Sequence, residues 1–260
     1  MGPVSAASSS AARTVIAIRL VCCAVVLLAW DLSLRFGLID PLFLATPMQT
    51  LQALPKTAVT SLPHIAASFL SFFQALALGV GAAVIIGYLV NTSSYASRMF
   101  MPIFQAGVTL PKVTLLPVLV LWLGIEKTTI VTYGALSAFF PMIVNVAAAM
   151  QEVKPNQITL ARSLGLSRVA IMRKAVLPAM LPVLASGLFY ACNAAMMGVF
   201  IVELAVARVG VGSYVHDLAV TFRTPELYAA VVLTSLMTIA INLAIWYAAR
   251  HLSRWRTIDI

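Results

Sequence analysis

Six apolar runs, each long enough to cross a bilayer as a helix, leave this chain few folds to adopt. A hydrocarbon core about 30 Å thick takes roughly 20 helical residues to span, and the runs at 15–36, 65–90, 100–123, 128–150, 177–207 and 227–250 all reach that length. Only 10% of the 260 residues are charged and 62% are hydrophobic, whereas a soluble domain is roughly a quarter charged. The expected fold is an all-α polytopic membrane protein with about six transmembrane helices. The third run is the least regular, because Pro102, Pro111 and Pro117 interrupt it and Lys112 lies within it. A kinked or partly re-entrant helix is expected there, its freed backbone groups satisfied by protein rather than lipid. Whether it is continuous or broken stays open.

A net charge of +9 would suit a nucleic-acid partner, but the basic residues form no single patch. They sort by side. With a cytoplasmic N-terminus, Arg13, Arg19, Arg98, Lys112, Lys154, Arg162, Arg168, Arg173, Lys174, Arg250, Arg254 and Arg256 lie inside or at the inner edge. Arg35, Lys56, Lys127, Arg208 and Arg223 fall outside. That asymmetry puts both termini and the segment 161–182 in the cytoplasm, and no nucleic acid is expected to bind. Residues 1–12 are rich in Ser and Ala and are expected to be a disordered tail, 13–256 a single transmembrane domain, and 257–260 a C-terminal tail. A cleaved signal peptide is disfavoured because no small-x-small site follows the first run, which is also long for a signal core. Cys22, Cys23 and Cys192 lack metal-type spacing and read as small core residues. Pro41, Pro47, Pro55 and Pro63 argue against a continuous helix over 40–64 and for an outer loop, with room for a short surface helix. In the second span Gly79, Gly81 and Gly87, with Ala75, Ala77, Ala82 and Ala83, would let helix backbones approach closely.

The least apolar stretch in the middle of the chain is "ARSLGLSRVAIMRKAVLPAMLP", 161–182. Asn156 can cap a short helix over Gln157–Leu164, Gly165 supplies the left-handed backbone that ends one, and Ser167 can cap a second helix running from Arg168 toward Leu177. Pro178 and Pro182 would shape the return to the membrane. Leu160, Ala161 and Leu164 lie along one side of the first helix, and Val169, Met172 and Val176 share a face of the second. Two helical turns are unstable alone in water. The segment either packs on its own chain as a surface loop or docks an apolar ridge flanked by cations into a groove on another protein. The glycine stop, second cap and prolines favour docking, because together they fix a rigid elbow.

These residues resemble a known family. Ala161, Arg162, Ser163, Leu164 and Gly165, followed after eleven residues by Leu177-Pro178, are similar to the EAA loop of binding-protein-dependent ABC importer permeases. "LATPMQTLQAL" (44–54), "HIAASFLSFFQALALGV" (64–80), "LPKVTLLPVLVLWLGI" (110–125), "VELAVARVGVGSYV" (202–215) and Arg254-Trp255-Arg256 resemble, in order, segments of the branch that imports nitrate, sulfonates, taurine and related compounds. The resemblance implies a type I (MetI-like) permease core in a bacterial inner membrane. It implies a coupling loop, 153–176, in which Thr159, Leu160, Ala161, Arg162, Leu164, Gly165, Arg168 and Pro178 serve docking to cytoplasmic ATPase subunits. It further implies a second permease copy enclosing a central path, an extracytoplasmic binding protein that delivers a small anion, and ATP used by the partner, with no cofactor bound by this chain. Two departures stand out: Thr159 replaces the usual Glu, removing a carboxylate that the helix dipole favours, and Leu160 replaces the first Ala. In the second span Gln74 and Ala75 stand where Arg and Gly are usual.

The chain offers no chemistry of its own to a sequence reader. It has no G-x-x-x-x-G-K-[ST] phosphate loop, and His64, His216 and His251 are scattered without ligand spacing, so no enzyme is expected. Glu203 lies inside or near the end of a span, where a carboxylate faces protein or water. It reads either as part of the outer translocation route or gate, or as a structural carboxylate that pairs with Arg208 or snorkels to the interface. Asn193 and Asn145 are candidates to line the path, although Asn in a span as often bonds a neighbouring helix. Trp122 reads as an interfacial anchor. The rival reading is a standalone channel or secondary carrier whose basic loop binds anionic lipid.

Overall fold

The computed structural model describes residues 4–153 and 155–252, with side chains over 14–153 and 155–247. Every regular element among the described residues is helical: α1 (Val4–Arg35), α2 (Pro47–Asn91), α3 (Ser94–Thr109), α4 (Leu116–Leu123), α5 (Lys127–Gln151), α6 (Pro155–Ser163), α7 (Arg168–Ile171), α8 (Leu177–Ala205), α9 (Val211–Val220) and α10 (Thr224–Leu252). A 3-10 turn, Lys112–Leu115, precedes α4, and a π turn, Met172–Val176, joins α7 to α8. Five helical stretches are long and apolar enough to cross a membrane, and α3 with α4 make a sixth if that bent pair is one crossing. The third run is not one straight helix: its halves meet at 94°, the geometry of a broken span or a re-entrant loop. Pro111 cannot donate a backbone bond at the break, and Gly124, at φ +77°, ends α4.

The helices divide into two compact units. One comprises the chain up to residue 60 with 217–233. In it the loop after α1 is tied down by polar contacts: Asp40 accepts the Leu42 N–H (2.8 Å), Trp30 Nε1 donates to Ala45 O (2.9 Å), and Thr224 Oγ1 donates to Leu42 O (2.6 Å). Two aromatic pairs, Trp30–Tyr228 (ring centroids 5.6 Å apart) and Phe43–Phe222 (6.0 Å), add to these ties.

Three expectations need correction. α1 is helical from Val4, where a disordered tail was predicted. Alanine is the strongest helix former, and the Ala/Ser run extends the span backward. Residues 1–3 and the tail 257–260, with Arg254, Trp255 and Arg256, lie outside the described residues, as does Lys154. Cys22 and Cys23 are exposed on α1, and only Cys192 is buried; none of the most apolar window of α1 is buried against the rest of the chain. Finally, 47–64 is neither a loop nor a short separate helix but the first part of α2, continuous with the second span. Thr46 and Gln49 form a reciprocal cap, with Gln49 N–H to Thr46 Oγ1 at 3.1 Å and Thr46 N–H to Gln49 Oε1 at 2.9 Å. Pro47 occupies the first helical position, where its missing N–H is harmless. Past it, one face of α2 stays buried through Thr50, Thr57, Ser61, Ser68, Phe72, Ala75 and Ala83, and that continuous stripe outweighs the local penalty of Pro55 and Pro63.

The second unit, 61–216 with the chain after 233, holds the core. α5 and α8 form its closest pair. A Cβ added at Gly198 would lie 2.8 Å from Ser137 Oγ and 3.2 Å from Gly134 Cα, and one at Gly134 would lie 2.8 Å from Ala75 Cβ. α2, α5 and α8 therefore approach almost backbone to backbone, the packing that small residues allow in lipid. Around this seam Phe72, Met142, Ile143, Val146, Cys192 and Met196 form one apolar layer, and Leu116, Ile130, Tyr133, Val199 and Val202 another.

Candidate functional site

The segment 155–176 folds as an elbow. Pro155 opens α6, two residues before the predicted start, so Asn156 lies in the first turn rather than capping it. α6 closes on a paired turn: Leu166 N–H bonds Ala161 O (3.2 Å), Gly165 N–H bonds Arg162 O (2.9 Å), and Gly165 sits at φ +74°. This 6→1 and 5→2 pattern satisfies carbonyls that a helix end otherwise leaves open, and the left-handed residue it needs is ordinarily glycine. Ser167 Oγ then accepts the Ala170 N–H (3.3 Å) and caps α7. Beyond it the helix does not stop. The π turn carries α7 into α8, with Leu177 N–H reaching back to Met172 O, and Pro178 and Pro182 lie inside one continuous helix, Arg168–Ala205. A widened turn relieves the clash between the Pro178 ring and the carbonyl four residues before it. The prolines therefore shape the helix without marking a new start.

The elbow has a buried side and a free side. Ala161 and Ile171 are buried, and α6 rests on α7 and the π turn. Leu160, Leu164 and Val169 are 64%, 71% and 68% exposed. Leu160 and Leu164, four residues apart, share one helix face. Thr159, Arg162, Arg168, Arg173 and Lys174 are exposed beside them, and none of these cations joins an ion pair among the described residues. Thr159 Oγ1 donates to Pro155 O (3.1 Å), so the position that lacks the usual carboxylate is turned onto its own helix. Chemically the surface is an apolar ridge with a cationic rim. It suits a groove with an apolar floor and acidic edges.

A second constellation lies at the far end of α8. Glu203 is 1% exposed, and no cation reaches it within ion-pair distance among the described residues. Hydrogen bonds hold it instead. Ser68 Oγ lies 2.8 Å from Oε1 and 2.7 Å from Oε2, and the Gly212 N–H donates to Oε2 at 3.0 Å. Ser68 Oγ in turn accepts the Val211 N–H (2.8 Å). His64 Nδ1 lies 3.1 Å from Gly210 O, and its ring centroid is 5.0 Å from that of Tyr214. Ser213 Oγ donates to Gly210 O (2.9 Å). The loop between α8 and α9 is thereby latched onto α2 through a buried carboxylate. A side chain at Gly212 would lie 2.6 Å from Glu203 Cβ, so the loop can close this tightly only with glycine there.

Residues 75–258 match the family described as the binding-protein-dependent transport system inner membrane component. The chain belongs to that family. This permease is 27% identical over 239 residues to the taurine transport system permease protein TauC of Escherichia coli (strain K12), an alignment covering 89% of the chain and 87% of the relative. It is 24% identical over 235 residues to the putative aliphatic sulfonates transport permease protein SsuC of Bacillus subtilis (strain 168), covering 90% and 85%. Its fold matches a chain of the MetNI methionine ABC transporter in an inward-facing conformation, with a TM-score of 0.59 at 19% identity over 75% of this chain and 96% of that one. The expected MetI-like all-α core is thus the fold observed.

In the permease the remaining predicted residues are dispersed. Asn145 Nδ2 donates to Pro141 O (2.8 Å) and Asn193 Nδ2 to Phe189 O (2.9 Å), each within its own helix. Asn193 borders a small closed void with Cys192, Met196, Thr238, Ile241 and Asn242. Arg208 lies exposed with Lys127 at the rim of a separate cavity of about 600 Å³, away from Glu203. Ser68 and the backbone of Gly210–Gly212 carry no local signal of this role, and His64 reads from sequence only as an isolated histidine, because their partners are about 140 residues away along the chain. The one available signal was the "ELAVARVGVGS" run, in which a carboxylate is followed by closely spaced glycines.

Proposed function

We propose that this permease pairs with a second copy of itself to enclose a path for a small anion, an organic sulfonate or an inorganic anion such as nitrate, received from an extracytoplasmic binding protein. Its N- and C-termini lie in the cytoplasm, on the side where its cations concentrate. Two ATPase subunits seat on the elbows, and their closure on ATP drives the pair between outward- and inward-facing states. The observation that carries this reading is the exposed Leu160–Leu164–Val169 ridge on a doubly capped, glycine-terminated elbow. Leu160 and Leu164 serve as the plug, Arg162 and Arg168 as the polar rim, and Ala161 as the seat that holds the ridge to its own subunit. Thr159 leaves contact with the ATPase to apolar surface and to arginine. Glu203 holds the outer α8–α9 loop closed against α2. The sulfonate class is supported by the names of the two relatives above, each aligned over most of its length.

Purification from native membranes tests this. The permease is expected to bring down an ATPase and to support uptake of a sulfonate or nitrate in vesicles only with ATP and the binding protein present. Uptake driven by an ion gradient alone, with no ATPase retained, would show a secondary carrier instead.

A further inference from the structure

Lys112 sits at the break of the third span, between α3 and α4, and has no carboxylate partner among the described residues. An ammonium group carries three donors. One reaches Val108 O at 3.2 Å, and the group lies 5.8 Å from the centroid of the Phe140 ring. Both contacts favour a cation, yet neither neutralises it. Lys112 lines a cavity of about 270 Å³ bounded by α5 and α8, whose wall carries Tyr133, Ser137, Met197 and Ile201 but no acidic side chain. Tyr133 is 2% exposed, and its hydroxyl makes no hydrogen bond among the described residues. Ser137 Oγ is committed to Tyr133 O (2.9 Å), so the free polar groups on this wall are the Lys112 ammonium and the Tyr133 hydroxyl. A cation without a counter-charge and a hydroxyl without a partner, on the wall of one largely apolar open pocket, are the two kinds of group an anion would engage.

We propose that this cavity is a way-station for the translocated solute, in which Lys112 supplies the charge and Tyr133 the hydrogen bond to one small sulfonate- or nitrate-like anion. Its volume of about 270 Å³ falls just below the range of about 300–1,000 Å³ typical of drug-sized ligand sites, which is room enough for so small an anion. A single cation and a single hydroxyl hold such an anion weakly, as passage requires. The site rests on the cargo being a small anion, and the experiment separates the two statements.

The test is lysine-reactivity mapping on the assembled transporter in nanodiscs of phosphatidylcholine. Acetylation of Lys112 is followed by mass spectrometry with methanesulfonate or nitrate at saturation, against chloride at equal ionic strength. Protection of at least about threefold is expected, reduced in Tyr133→Phe. In uptake assays Lys112→Gln is expected to raise the apparent KM for the anion about tenfold or more, and Lys112→Arg to restore most of it. Unprotected Lys112 in a transporter that does import the anion would overturn the site and leave the function standing. Lys112 protected in a transporter that imports no anion would overturn the cargo and leave the site. Protection that appears only with phosphatidylglycerol nanodiscs, and does not depend on solute, would make the occupant a lipid headgroup and overturn the proposal.

Discussion

Gly165→Val isolates the backbone geometry of the elbow. A Cβ at this position meets nothing within 4 Å, so steric crowding contributes nothing and the backbone at φ +74° decides the outcome. A left-handed conformation costs an L-residue about 1–2 kcal/mol, with branched side chains at the upper end. The chain can escape by abandoning the turn, but that forfeits the Leu166–Ala161 and Gly165–Arg162 bonds, at about 1 kcal/mol net each. Either route amounts to about 2 kcal/mol, roughly a 30-fold loss in the population of the native elbow, since 1.4 kcal/mol is a factor of ten. A nine-residue helix has little reserve against such a loss. The assay is solute imported per ATP hydrolysed in proteoliposomes containing the ATPase and binding protein, normalised to inserted permease. Coupling should fall in the order Gly, Asn, Ala, Val, because Asn tolerates left-handed backbone better than other side chains. Undiminished coupling in the Val variant refutes the elbow's role. An Asn variant as impaired as Val shows that side-chain volume matters there, and refutes the energetic argument.

Three further predictions test separate parts of the molecule. Leu160→Ser with Leu164→Ser should leave subunit stability within about 0.5 kcal/mol, as is usual for exposed sites, yet weaken ATPase affinity by about 2 kcal/mol or more, the scale of an interface anchor; unchanged affinity in a pull-down titration would remove the ridge from the docking surface. Glu203→Ala should strand Ser68 Oγ and the Gly212 N–H, at about 1–3 kcal/mol for each buried group, and lower the melting temperature of the detergent-purified permease by several degrees. Glu203→Gln, which keeps an acceptor, should lose less, and equal melting of all three forms would show that the latch contributes no stability. Gly198→Leu should overpack the α5–α8 seam by about 1–3 kcal/mol and reduce the monodisperse fraction on size exclusion, whereas Gly81→Leu, where an added Cβ meets nothing within 4 Å, should not; parity between them would mean that α5 and α8 can separate without penalty.

Local signals were legible where a few adjacent residues settle the matter. Gly165 and Ser167 announced a stop and a cap, and the backbone and Oγ bonds around them follow that reading. The start of α2 was equally local, in Thr46, Pro47 and Gln49, but the prolines beyond it suggested a loop. What they concealed was a stripe of buried residues, small except for Phe72, extending from Thr50 to Ala83, whose packing outweighs two missing backbone donors. The prolines after the elbow misled in the same way, since a π turn absorbs the strain that Pro178 would otherwise impose as a break. At Glu203 a pairing with nearby Arg208 was one open reading. The carboxylate is in fact satisfied by Ser68, 135 residues away.

By itself the sequence determined that this chain is a bundle of membrane-crossing helices with a capped basic elbow in its middle, because span length, charge asymmetry and helix caps depend on residues within a turn or two of one another. Tertiary structure alone decided which face of that elbow stays free, and that Glu203 closes on Ser68 and Gly212. Each of those outcomes depends on what other helices cover, and exposure is a property of the packed molecule that no window of the chain contains.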